Sequence, residues 1–298
     1  MSARSRFLLV LVLGLTLTGL SCAMLQNPEE TVTKIKNSPV TKVAVSMRNS
    51  FADITDEEEY YIGRSVSALI LARYPVYENE IVTQYLNKVG SALSAYSDRP
   101  ETYAGYHFLI LDSPEVNAFA APGGFVFVTK GLVAQCRDEE MLAAVLAHEI
   151  GHVNARHGLK AIKQSRLMDT FKLIGSEAAK KYSSADLAQL TDLFQGVLSD
   201  IAGELIEKGY DRKLEYEADG LAIKFTMATG YSPVGLSDLL KNMAATAPKG
   251  GAKGMFQTHP TPQDRLQRVS QQIQALKTVP VKFPLRTTRF NKALSLMK

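Results

Sequence analysis

The sequence predicts an α+β fold, mostly helical, with a small β-sheet beside one buried helix. Three observations carry this. From Asp53 onward most segments repeat apolar residues at the helical period. One short strand and a hairpin lie next to each other over residues 106–129. Directly after them, residues 138–158 read as a helix whose run 141–147 has no polar residue on any side, which belongs in the middle of a domain. The 298 residues, 46% hydrophobic and 21% charged, have an ordinary globular composition, enough for one large core or two small domains. Basic residues are scattered and not interleaved with aromatics along a groove, so nucleic acid is excluded as a partner.

Residues 1–6 carry Arg4 and Arg6, residues 7–20 are largely apolar, and Ser21-Cys22-Ala23 follows. This stretch is too short for an easy membrane span and matches a secretory signal over residues 1–21. Cys22 is the expected lipidation site, preceded by Leu20 and Ser21, although Gly19 departs from the Leu usual at the start of such a site. Ordinary cleavage using Ser21 and Ala23 is the alternative, and an uncleaved anchor a third. Losing residues 1–21 removes Arg4 and Arg6 and no acid, so the net charge falls from +4 to +2. Cys136 is the only other cysteine; with Cys22 lipidated no internal disulfide forms, and Cys136 reads as a small buried hydrophobe. Residues 22–50 are polar with little periodicity, a tether to the domain expected over 51–277, or else a strand packed on it.

Thr55 and Asp56 open a first helix, with Glu57 to Glu59 in its first turn and Ile62, Val66 and Ile70 on its face. A second amphipathic helix spans 81–93 through Val82, Tyr85, Leu86 and Val89. Residues 106–111, YHFLIL, form a strand that Asp112-Ser113-Pro114 ends; 116–120 and 125–129 form a hairpin around Ala121-Pro122-Gly123-Gly124. His107 is read as a strand residue without a metal role.

The helix over 138–158 starts at the N-cap Asp138, has Glu139 and Glu140 in its first turn, and closes on Arg156, His157 and Gly158, with His157 as a C-terminal cation. It also carries His148, Glu149 and His152. The histidines, four apart, lie about 40° apart around the helix and about 6 Å along it, so both can reach one tetrahedral metal ion. Glu149 lies roughly 100° round from His148, placed to take a proton from a metal-activated water. HExxH is a known zinc-protease helix pattern. A catalytic zinc needs a third protein ligand and an open position. The metzincin continuation would need Gly at 155 and His at 158, where this chain has Ala155 and Gly158.

Residues 159–182 and 185–206 are two further amphipathic helices, packing the core or in part covering the cleft. Residues 213–226 form a helix with Leu214, Ala218, Leu221, Ala222 and Phe225 on its apolar stripe. Glu215 and Asp219 flank that stripe on one side; Glu217 falls on the other with Lys213 and Lys224, a solvated charge. Glu215 is therefore the expected third ligand, and Asp219, one turn on, the carboxylate that orients a ligand histidine through its free N–H. A short helix over 234–246, a flexible loop over 248–254 placed to move His259, a last helix over 262–276 and a tail over 278–298 complete the chain.

AHEIGHV at 147–153, EYEAD at 215–219 and THPTPQDR at 258–265, in that order, resemble the M48 family of zinc metallopeptidases, which includes the HtpX-like heat-shock proteases and the CaaX prenyl endopeptidases. The likeness covers about 57–273 and is greatest to the bacterial periplasmic branch, often lipoproteins of envelope quality control. It implies a gluzincin-type zincin fold, one Zn2+ per chain on His148, His152 and Glu215, and Glu149 as the catalytic carboxylate. The HP-to-R motif falls on His259 and Arg265, implying a histidine near the metal that stabilises the oxyanion or occupies the open zinc position at rest; Arg265 otherwise simply pairs with an acidic neighbour. In zincins an edge strand beside the zinc binds the substrate backbone, and Asn117, Ala118, Phe119 and Ala120 are its expected place here. The alternative is a hairpin that only supports the core.

The function expected is a zinc-dependent endopeptidase that cleaves misfolded or unassembled envelope proteins. Its place is the periplasmic face of the outer membrane as a lipoprotein, or the periplasm if secreted, with polypeptides as substrates and envelope assembly machinery as a partner. The alternative is a zinc-stabilised chaperone or assembly factor for outer-membrane proteins that rarely cuts, against which Glu149 argues. A metal-dependent hydrolase of a non-peptide amide is the third reading.

Overall fold

A computed structural model describes residues 54–161, 184–246, 259 and 262–297. The expectations for Cys22, residues 1–50, most of 159–182 and the 248–254 loop lie outside them. Helix α1 (Asp56–Arg73) opens on a capping box, Thr55 Oγ1 accepting from Glu58 N and the Glu58 carboxylate accepting from Thr55 N at 2.8 Å. Asn79 caps α2 (Glu80–Ser94), which buries Val82, Leu86, Val89 and Leu93 along one face. Strands β1 (His107–Leu111), β2 (Ala118–Ala121) and β3 (Phe125–Thr129) form a sheet ordered β1-β3-β2, with β1 parallel and β2 antiparallel to β3. β2 is therefore an edge strand, Phe119 opposite Phe127. The reversal from β2 to β3 needs Gly123, whose φ is 76° and whose place a Cβ would fill 2.7 Å from Tyr60 Cα.

After the short α3 (Lys130–Gln135) comes the central helix α4 (Glu139–Asn154). Asp138 Oδ1 accepts from Met141 N at 2.9 Å, and every residue from Glu139 to Val153 is buried. It packs against α7 (Arg212–Thr229), α8 (Val234–Thr246), α2 and β2. α8 crosses so close that a Cβ on Gly235 would stand 2.3 Å from Glu140 O.

The sequence extended α4 to Gly158, but it ends at Asn154. Arg156 takes a left-handed conformation, φ 53° and ψ 37°, alone among described non-glycine residues, and the chain turns back into α5 (His157–Lys160). Its guanidinium is held 2.6 Å from Asp56 and 3.0 Å from Glu59, which stabilises a turn the sequence pattern does not announce. α6 (Ser184–Ala202) runs into a π-helical segment, Gly203–Lys208, before Asp211 caps α7. The chain then forms α9 (Pro262–Gln274) and α10 (Pro284–Ser295). Residues 284–295 were expected as tail; they fold because Arg286 and Arg289 reach the buried Glu140 and Glu139 at the start of α4. The α+β class, mostly helical with one small sheet, is as expected. Among the described residues no helix is long and apolar enough to cross a membrane.

Candidate active site

α4 brings His148 and His152 to the face that meets α7, and α7 brings Glu215. His148 Nε2 and His152 Nε2 are 3.1 Å apart, and each lies 3.5 Å from a Glu215 oxygen. His259, just before α9, inserts Nδ1 at 2.9 Å and 3.0 Å from the two Glu215 oxygens and 3.4 Å from His148 Nε2. All four residues are buried, and one donor atom from each falls within 4.8 Å of the others. Two or three imidazoles with one carboxylate at this spacing fit a tetrahedral zinc. Neutral ligands suit it too: burial, with the charge of His148, pushes His152 well below its ordinary pKa. Burial would raise the Glu215 carboxyl, but His259 and Arg265 hold it well below the usual range.

Behind the clustered side chains stand Asp219 and Arg265. Asp219 Oδ1 lies 3.1 Å from His148 Nδ1, and Arg265 donates to the same carboxylate from Nε at 2.9 Å and Nη2 at 2.7 Å. Arg265 Nη1 is also 2.9 Å from Glu215. Burial and Arg265 disfavour charge on His148, yet the hydrogen bonds to Asp219 and Glu215 outweigh them and lift it to about 9. A metal at Nε2 must displace that proton. Arg265, buried at 1% exposure, thus joins both carboxylates of the motif pair.

Glu149 points elsewhere on α4. Its Oε1 is buried without a hydrogen-bond partner among the described residues and lies 3.8 Å from His259 Nε2. Burial pushes its carboxyl above the ordinary value, against the pull of His259 and His148. An unpartnered buried carboxylate oxygen beside a metal-ligand cluster has the acceptor capacity that a water would use.

Ala118, Phe119 and Ala120 of the β2 edge line one narrow pocket with Glu149, Glu204, Leu205, Tyr210 and His259. Asn117 is outside the strand: its N–H donates to Thr129 Oγ1 at 3.0 Å, so its backbone serves the hairpin. His107, the first residue of β1, stacks on Phe125.

Three residues were missed or misread. His157, expected as a helix C-terminal cation, is buried, with Nδ1 2.7 Å from His152 Nδ1, and burial lowers its pKa. Glu217, expected to pair along its own helix, lies 3.2 Å from His157 Nε2, while Lys224 pairs with Asp98. Tyr210 stacks on the His152 ring, centroids 4.4 Å apart and planes 19° apart. No local pattern marks Tyr210, nor the contacts of His157 with His152 and Glu217.

The sequence profile of peptidase family M48 matches residues 80–273. The chain is similar to the beta-barrel assembly-enhancing protease of Yersinia pestis, 27% identical over 238 residues, 77% of this chain and 46% of that protein. It is 28% identical over 236 residues to the mitochondrial metalloendopeptidase OMA1 of Schizosaccharomyces pombe, 77% of this chain and 65% of the relative. To the metalloprotease LoiP of Escherichia coli it is 26% identical over 194 residues, 65% of this chain and 70% of the relative. The chain spans less than half the length of the first of these relatives.

Proposed function

The chain belongs to peptidase family M48, and from that premise we propose that it is a zinc-dependent endopeptidase acting on polypeptides of the cell envelope. The observation that carries this is the buried cluster of His148, His152, Glu215 and His259 donor atoms with the unpartnered Glu149 oxygen beside it. His148, His152 and Glu215 would hold one zinc ion per chain. When bound, zinc supplies polarisation of the scissile carbonyl and acidification of a water.

Glu149 takes the proton from that water and passes it to the leaving amide nitrogen, a role suited to a carboxyl whose proton affinity burial has raised. Asp219, held by Arg265, keeps the His148 ring turned so that Nε2 faces the cluster. The edge of β2 that does not pair with β3, at Ala118 to Ala120, would offer backbone groups for strand addition by an extended substrate once uncovered. The Gly203–Lys208 segment and Tyr210 would shift to admit it. Of the two roles open to His259, the resting block is better supported, because its Nδ1 stands among the ligand atoms and touches Glu215. Displaced from its contacts with Glu215 and His148, it would be free to donate to the oxyanion.

The envelope assignment rests on the signal-like residues 1–21, on Cys22 as a lipid anchor, and on relatives named for β-barrel assembly. The covered pocket and the placement of His259 favour a second reading, an assembly factor with little basal proteolysis. Zinc content and casein cleavage, on residues 23–298 and on the same chain with Glu149→Gln, test the proposal. About one zinc in both, with cleavage in the variant reduced about 10²- to 10⁴-fold, supports the peptidase. Zinc in both with cleavage in neither supports the second reading, and no zinc removes the site.

A further inference from the structure

Each ligand imidazole needs its second nitrogen satisfied, and the two here solve this differently. His148 Nδ1 meets Asp219 directly at 3.1 Å. Among the described residues His152 has no carboxylate on that side. Its Nε2 faces the cluster, so Nδ1 points away from it, and His157 Nδ1 stands there at 2.7 Å. Two imidazole nitrogens at that distance share one hydrogen, so one donates and one accepts. If His152 Nε2 binds metal, its Nδ1 carries the hydrogen and donates to His157 Nδ1. The hydrogen of neutral His157 is then on Nε2, which lies 3.2 Å from Glu217 Oε2. Every donor in the chain of contacts finds an acceptor, and only this pair of tautomers allows it.

We propose that His157 is a positioning residue for the metal centre, and that with Glu217 it sets the tautomer and orientation of His152, as Asp219 does for His148. This rests on the zinc reading above. The fold invests in the arrangement. His157 is fully buried, and it reaches His152 because the left-handed Arg156 folds the chain back under the end of α4. Its neighbour Gly158 allows the approach, since a Cβ there would come within 3.1 Å of Pro122 Cγ. Glu217 is half exposed, so this line of contacts, unlike the Asp219 one, ends at the surface.

The test is zinc affinity of the full-length chain, by competition with a chromophoric chelator, together with the visible spectrum of the Co2+-substituted protein. His157→Ala is expected to bind zinc about 10- to 100-fold more weakly and to alter the Co2+ spectrum. His157→Gln, whose amide oxygen can accept from His152 Nδ1, should recover part of the affinity. Glu217→Ala should lose a smaller factor, Glu217→Gln less again, and Glu217→Ala should add nothing in the His157→Ala background. Parental affinity in His157→Ala, or a Glu217→Ala effect that persists without His157, overturns the proposal. Should His157→Ala not fold, the two half-exposed Glu217 variants decide alone, and parental affinity in Glu217→Ala overturns it. A parent that binds no zinc would fail the zinc reading itself, whereas a binding parent with equally binding variants fails only this one.

Discussion

Residue by residue, the site is a set of groups whose charges are settled by their neighbours. Glu215 and Asp219 sit one turn apart on α7, and both carboxyls stay below their ordinary range although burial opposes it, because His259 and Arg265 face Glu215 and Arg265 also holds Asp219. Glu149, one residue from His148, lacks such a partner and is pushed the other way. That split sets the two α7 carboxyls apart from Glu149. His259 makes its closest contacts with Glu215. His259→Ala should therefore raise casein cleavage several-fold at saturating zinc while weakening zinc binding; a fall in kcat at unchanged KM would assign it to the oxyanion instead. His148, Glu149 and His152 were legible from spacing alone, and Glu215 from its side of a helical stripe. His157, Glu217 and Tyr210 were not, because their partners lie on other elements: Tyr210 stacks on a ring 58 positions away in the chain.

At the scale of elements, the buried α4 is held at both ends by charge. At its start, Glu139 is fully buried, accepting from Tyr231 OH at 2.7 Å, from Tyr85 OH at 3.0 Å and from the Arg289 guanidinium of α10. Arg286 donates to Glu140 at 3.0 Å. Arg289→Ala leaves the Glu139 carboxylate with its two phenols alone. Because Arg289 is itself half exposed, the expected loss is modest, about 1–2 kcal/mol in urea unfolding, with no change in zinc affinity. A neutral outcome would mean that the phenols suffice. At its other end, Arg156 stops the helix and Asp56 and Glu59 hold the turn. Helix starts were readable from Thr55 and Asp138, since caps are local; the Asn79 cap of α2 emerged only in the structure. The stop at Asn154 was not readable, because Arg156 adopts a conformation its residue type disfavours and distant acids hold it there.

Across the whole molecule, one buried helix, one sheet edge and one covering segment meet at the ligand cluster. With metal removed, the cluster retains buried imidazoles against a buried carboxylate pair and one arginine. A chelator should lower the thermal midpoint and zinc should restore it. At a thousandfold excess of zinc over Kd the stabilisation is about 4 kcal/mol, roughly 10 °C for a domain of this size. No shift would mean that the cluster holds no metal in solution. The sequence by itself determined the α+β class, the start of the central helix at its N-cap, and the gathering of His148, His152 and Glu215 into one cluster, because periodicity, N-capping and side-chain spacing are properties of a few consecutive residues. Only the tertiary structure decided that residues 284–295 fold back onto α4, that the Gly203–Tyr210 stretch lies over the β2 edge, and that His157 stands behind His152. Those facts are contacts between residues far apart in sequence or across a turn without a local signature, and they exist only where packing has brought the partners into a shared, water-poor interior.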